Sequence, residues 1–82
     1  MSSKSVRVRY FAVLRERRGV DSEEVQTTME TLGQLYDELS ARHHLDLKSS
    51  LVRFASNGAF VHSGTAVCDG AEVALIPPVA GG

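Results

Sequence analysis

The residues best placed to do chemistry are the last six, Pro77-Pro78-Val79-Ala80-Gly81-Gly82. At background usage, a Pro-Pro-x-x-Gly-Gly run arises at a given position roughly once in 100,000, so the spacing asks for a reason. Gly82 presents a main-chain carboxylate with no side chain beside it. Neither Gly81 nor Gly82 has a Cβ to limit the path of the chain. Such an end fits a channel too narrow for any other residue. Pro77 and Pro78 fix φ and disfavour helix, so the tail is expected to leave the domain extended. Six extended residues, with Val79 and Ala80 in the span, reach at most about 20 Å. That is enough to carry the Gly82 carboxylate deep into another protein. An inert, frayed terminus is the ordinary alternative, but a flexible tail is normally rich in Gly and Ser and has no use for Pro-Pro.

The rest of the chain offers little competing chemistry. Gly58, Gly64 and Gly70 do not match dinucleotide or P-loop spacing. No nucleophile motif surrounds a Ser, Thr or Cys. Asp21, Glu23 and Glu24 sit together in a polar stretch and read as solvated. Cys68 is the lone cysteine, so there is no intrachain disulfide and no sign of an oxidising compartment. It reads as a small, partly buried thiol. His43, His44, His62 and Cys68 lack zinc-ligand spacing, so no metal is expected. The reactive group is therefore sought in the Gly82 carboxylate, and the domain is not expected to be a self-sufficient enzyme.

The elements that must position this tail fit one small domain of 82 residues. A hydrophobic fraction of 43% and 23% charged residues suit a globular core with a soluble surface. A formal net charge of -1 argues against nucleic acid or an anionic membrane as the main partner. The local exception is Arg15, Arg17 and Arg18, read as a solvated loop, with partner docking as the alternative. No apolar stretch resembles a signal peptide or a membrane span, so the expected location is cytoplasmic.

Val6, Val8 and Tyr10 alternate with Arg7, Arg9 and Phe11, which predicts a strand with one buried face. Ala12 to Gly19 reads as a short helical turn or loop, and Ser22 to Thr27 as a second strand. Leu32, Leu35, Tyr36 and Leu39 form a helical apolar stripe. Thr31 and Gln34 supply a capping box. Gly33 weakens the first turn by about 1 kcal/mol relative to Ala. Arg42, His43 and His44 crowd the other end, where the helix dipole favours positive charge. Asn57-Gly58 between apolar runs predicts a tight hairpin. Asp69-Gly70 marks a further turn before a final strand, Glu72 to Ile76. Val73 and Leu75 are assigned to its buried face, leaving Ile76 outward. Ile76 beside Phe60 or Phe11 would form an exposed apolar patch, and such patches mark interfaces. The order strand, strand, helix, strand, strand, strand predicts an antiparallel or mixed sheet with the helix on one face.

Asp69-Gly70-Ala71-Glu72-Val73-Ala74-Leu75-Ile76-Pro77-Pro78-Val79-Ala80-Gly81-Gly82 resembles the C-terminal signature of the small subunit of molybdopterin synthase, within the ubiquitin-like sulfur carriers. Val8-Arg9-Tyr10-Phe11-Ala12 with Leu14-Arg15-Glu16 resembles the family's first strand and turn, and Thr31-Leu32-Gly33-Gln34-Leu35 the start of its helix. Asn57 followed by Asp69-Gly70 keeps its spacing. Ala71 departs from the usual acid, and Leu75-Ile76 is aliphatic where many relatives carry aromatics. Both departures are expected in the docking region.

The resemblance implies an α+β fold of the β-grasp type: a mixed sheet of about five strands, with one main helix packed on one face, over residues 1–76. Residues 77–82 form the tail. It also implies a sulfur carrier in molybdenum cofactor biosynthesis, a non-catalytic small subunit of a sulfurtransferase. A carboxylate is a poor electrophile until it has a leaving group. An ATP-dependent activating enzyme would therefore adenylate Gly82, and a sulfur donor would displace AMP to leave a thiocarboxylate. The tail would then enter the large subunit and pass sulfur to a cyclic pterin phosphate precursor. Gly82 would carry the atom, Gly81, Ala80 and Val79 would give access, and Pro77 and Pro78 would aim the tail. Ile76, Phe60 and Phe11 would dock the partner. The implied assembly is a hetero-oligomer, expected as a heterotetramer, with no cofactor bound by this chain and ATP used by the activating enzyme. Cys68 would be dispensable for transfer. The alternatives are a sulfur carrier for thiazole, tRNA thiolation or cysteine synthesis, a ubiquitin-like protein modifier, or a plain binding module with an inert tail.

Overall fold

The computed structural model describes residues 3–78; Val79, Ala80, Gly81 and Gly82, which carry the central calls made from sequence, lie outside the described residues. The chain runs β1 (Lys4–Tyr10), α1 (Ala12–Arg18), β2 (Ser22–Thr27), α2 (Leu32–His43), a 3-10 turn (Ser49–Leu51), β3 (Arg53–Ser56), β4 (Ala59–Val61) and β5 (Glu72–Ile76). The five strands form one mixed sheet in the order β2-β1-β5-β3-β4. β1 and β5 are parallel neighbours at its centre, and the other pairings are antiparallel. This is the ubiquitin-like β-grasp architecture expected from the sequence.

Strand alternation sorts the sheet into two faces. Val6, Val8 and Tyr10 of β1, Val25 of β2, Phe54 of β3, and Val73 and Leu75 of β5 are buried. Leu32, Leu35, Tyr36 and Leu39 of α2, the predicted stripe, are buried with them. Tyr36 meets Phe54 edge-to-face, with ring centroids 6.3 Å apart, and its hydroxyl donates to the Leu47 carbonyl at 2.6 Å. Burying each large aliphatic side chain contributes about 1.5–3 kcal/mol, so this layer supplies most of what holds the domain together.

The start of α2 is fixed twice. The Thr31 hydroxyl accepts from Gln34 N at 3.2 Å while the Gln34 side-chain Oε1 accepts from Thr31 N, the predicted capping box. The neighbouring loop also presents carbonyls to the helix end: Leu32 N donates to Thr65 O and Gly33 N to Ser63 O. This gives Gly33 a purpose beyond weak helix propensity. A Cβ there would stand 3.3 Å from Ser63 Cβ and 3.4 Å from Ser63 O, so a side chain would push the loop away.

Ala12 to Gly19, expected as a short helical turn or loop, forms the helix α1 over Ala12–Arg18 with Gly19 as its C-cap. Only Leu14 is buried, so it carries no apolar stripe to read. It closes on Gly19, at φ 87, whose N–H donates to Arg15 O. Each of its three arginines has a partner within the chain, although Arg15 and Arg17 remain exposed. Arg15 faces Asp21 at 3.7 Å, and Arg17 donates to Leu45 O and Asp46 O. Arg18 forms a two-point pair with Glu23, at 2.8 and 2.6 Å.

Candidate functional site

The end of β5, where the tail begins, is built by three strands. Its last residues pair Leu75 with Tyr10 of β1 and Phe54 of β3, and Ile76 with Arg53 of β3. Leu75 is fully buried, whereas Ile76 is half-buried on the opposite, outer face. Pro77 is buried and Pro78 exposed. One proline is thus seated in the domain and the next stands at its surface.

The β5 strand is held at its far end by polar side chains that also define the two glycine turns. Asn57, at φ 50, and Gly58, at φ 90, make the type I′ hairpin that the pair predicts. The Asn57 carbonyl oxygen accepts from Glu72 N at 3.1 Å, and Asn57 N donates to Glu72 O. Asp69 accepts from Ser5 N at 2.7 Å and Gly70, at φ 84, donates to Ser5 O. The hairpin and the Asp69-Gly70 turn therefore lock β5 in register from both sides. Ala71 sits buried at this end, with its carbonyl accepting from Arg7 N. Its place is five residues from Ile76, about 16 Å along a strand. The departure at Ala71 thus belongs to the core below β5, not to the docking region.

The outer sheet face is crossed by two rows near the tail. The first joins Arg9, Ala74, Ala55 and Phe60 in register. The second joins Ile76 to Arg53, and Phe11, extended at φ -124 and ψ 149, continues β1 beside Ile76. Phe11 is 36% exposed and Phe60 68% exposed. The Arg9 guanidinium lies over the Phe11 ring, 5.4 Å from its centroid. Ile76, Phe11 and Phe60 thus share one solvent-facing surface, but not one continuous patch. Phe11 is on the adjacent strand, whereas Phe60 is two strands from Ile76, about 10 Å away, with Arg53 and Ala55 between them.

Behind the sheet, Glu23 accepts from the Tyr10 hydroxyl at 2.6 Å as well as from Arg18. The Arg18 hydrogen bond holds the Glu23 carboxyl below the usual carboxylate range, against the opposing effect of burial. Burial, reinforced by the Glu23 contact, pushes the Tyr10 hydroxyl up. At the end of α2, Arg42 and His43 occupy the last turn and His44 the C-cap, as expected. Burial lowers the His43 pKa, and Arg18 adds to the effect.

Cys68 is exposed rather than partly buried, because it follows the buried Val67 into the Asp69-Gly70 turn. Among the described residues there is no group of His, Cys, Asp and Glu side chains able to hold a metal. No helix among them is long and apolar enough to cross a membrane.

The fold defines a class, the ubiquitin-like β-grasp proteins. The chain belongs to the ThiS family, whose model matches residues 8–82. It is 38% identical to the molybdopterin synthase sulfur carrier subunit of Escherichia coli over 80 residues, covering 94% of this chain and 99% of that protein. It is similar to the crystal structure of SAMP1 from Haloferax volcanii, at 30% identity and a TM-score of 0.76 over 95% of this chain and 99% of that one. It is also similar to a chain in the complex of subunits 1 and 2 of molybdopterin-converting factor from Helicobacter pylori, at 26% identity and a TM-score of 0.62. That match covers 95% of this chain and 99% of the other.

Proposed function

We propose that this chain is the sulfur-carrying small subunit of a molybdopterin synthase, with the Gly82 carboxylate as its working group. The observation that carries the reading is the relationship to the Escherichia coli carrier along 99% of that protein, together with a family match that runs to Gly82. The Helicobacter pylori complex of subunits 1 and 2 supports a larger protein partner.

The chemistry proceeds in balanced steps. A Gly82 carboxylate oxygen attacks the α-phosphorus of ATP on a separate adenylating enzyme, and pyrophosphate leaves. A hydrosulfide equivalent then attacks the acyl carbon, and AMP leaves with the electron pair of the C–O bond. The resulting thiocarboxylate sulfur is a better nucleophile than the oxygen it replaces. Inside the large subunit it attacks a carbon of a cyclic pterin phosphate precursor, and an oxygen on that carbon leaves with the C–O electron pair. Water then attacks the thioester so formed, the acyl C–S bond breaks with its electron pair staying on the precursor's sulfur, and Gly82 is released as carboxylate. Two carriers are needed for a dithiolene. This chain contributes the atom, the seated Pro77, the exposed Pro78 and the outer sheet face. The large subunit contributes the catalytic side chains.

The test is the intact mass of the chain after incubation with its adenylating enzyme, ATP and a sulfur donor. Sulfur replacing one oxygen at Gly82 supports the reading, and an unchanged mass refutes it. A second reading, a ubiquitin-like modifier joined through Gly82 to lysines, is favoured by the likeness to SAMP1. Lysine-linked adducts in the native host, with no thiocarboxylate, would select it.

A further inference from the structure

The net charge of -1 conceals an uneven distribution. Far from the tail, the outer face is balanced: Arg7 lies between Glu24 of β2 and Glu72 of β5. Nearer the tail the pattern changes. Arg9 has Ser22 and Ala74 as its neighbours across the sheet, and Arg53 has Ile76. Both arginines are exposed; like Arg7 they form no ion pair among the described residues, but unlike Arg7 they have no carboxylate as a cross-strand neighbour. The three other arginines of this end, in α1, are engaged by Asp21, by main-chain carbonyls and by Glu23. Acidic side chains gather elsewhere, in a groove beside α2 lined by Glu30, Asp37 and Glu38 together with Lys4, where Glu38 also faces Arg42.

Beside Arg53 the sheet edge opens into a recess of about 370 Å³. Its lining combines Arg53, His62 and three serines with the apolar side chains of Val52, Phe54, Phe60 and Val61. It contains no acidic residue. A guanidinium beside apolar and aromatic side chains suits a carboxylate on a side chain whose stem is apolar. The guanidinium offers the planar fork that carboxylates fit.

We propose that an acidic segment of the large protein partner occupies this tail-side surface, one carboxylate meeting Arg53 at the recess and another meeting Arg9 beside Phe11. The inference rests on the carrier reading above and adds to it the chemistry of recognition. Apolar contact through Ile76 and Phe11 supplies adhesion. The two unmatched arginines supply orientation, turning the tail-bearing face toward an acidic surface and its acidic groove away. Complementary charge of this kind acts chiefly on the rate of approach and on partner choice.

The experiment is titration calorimetry and association kinetics with the large subunit of the same host, at low and at physiological ionic strength. Arg53→Gln and Arg9→Gln should each weaken binding about tenfold at low salt, mainly through slower association, and flatten its salt dependence. Arg7→Gln, whose charge already has carboxylates on both sides, should change binding less than about twofold. Thermal melts should show all three folded. Arg53→Lys should recover part of the loss, because the charge returns without the fork. If wild type binds and the Arg53 and Arg9 variants bind equally well with the same salt dependence, the inference is wrong and the carrier reading stands. If the Arg7 variant loses as much as the others, only total charge matters and the inference is equally wrong. If wild type does not bind the large subunit, both fall.

Discussion

Leu75 and Ile76 are consecutive in β5 and serve opposite faces: Leu75 is fully buried between Tyr10 and Phe54, while Ile76 stands half-exposed opposite Arg53. One residue of register thus separates the core of the domain from the surface at the base of its tail.

That relationship gives a paired prediction. A domain of 82 residues has about 4–12 kcal/mol of stability. Leu75→Asp places a carboxylate in the dry layer at a cost of several kcal/mol and should abolish cooperative unfolding. Ile76→Asp should leave the melt within a few degrees of wild type and weaken large-subunit binding at least about tenfold. The reverse pattern in melts and calorimetry would mean that the faces are exchanged.

Acid should act on the domain in two windows. Glu23 and His43 both have folded pKa values below their ordinary ones, so in both cases the unfolded chain binds protons more readily. Stability then falls as pH falls. His43 should contribute a first decline as pH drops below about 6.5, and Glu23 a second below about 4.3. Glu23→Gln should cost about 1–3 kcal/mol at neutral pH, since Arg18 and Tyr10 lose a charged acceptor, and should remove the second decline. Urea titrations across pH decide this; an unchanged acid limb in Glu23→Gln would contradict it.

The sequence was most legible where one local rule governed one element. Period-two alternation gave β1, the Thr31–Gln34 pair gave the start of α2, and Asn57-Gly58 gave the hairpin. The central parallel pairing of β1 with β5 was not readable from local pattern, because it joins the two ends of the chain. Ala12–Arg18 could be read only as a helical turn or a loop, because its single buried residue, Leu14, makes no apolar stripe. The internal engagement of its arginines needed partners in β2 and in the connection at Leu45. In the candidate site, Ile76, Phe11 and Phe60 were each legible as surface apolar residues. Arg9 and Arg53 were not, since unmatched charge is a property of cross-strand neighbours.

Gly33 offers a test of close packing rather than of helix propensity. Propensity alone would make Gly33→Ala stabilising by about 1 kcal/mol. Contact with Ser63 at 3.3 Å should cancel that gain or reverse it. The double variant with Ser63→Gly should recover the gain by removing the Cβ that is met. A clear stabilisation in the single variant would show that the loop yields freely.

Cys68 lies exposed in the turn before β5, within weak reach of the Ala66 carbonyl at 3.8 Å. Among the described residues its sulfur takes part in no other hydrogen bond and in no ion pair. Thiocarboxylated Cys68→Ser should therefore transfer sulfur at the wild-type rate. A folded but inactive variant would assign the sulfur to this thiol instead.

The most direct measurement of the central claim is single-turnover sulfur transfer with three chains: wild type, a Gly82 deletion, and wild type extended by one residue. Transfer should vanish in both variants while their melts match wild type, because a chain end makes few contacts. Full transfer by either variant would contradict the assignment of the sulfur to the Gly82 carboxylate.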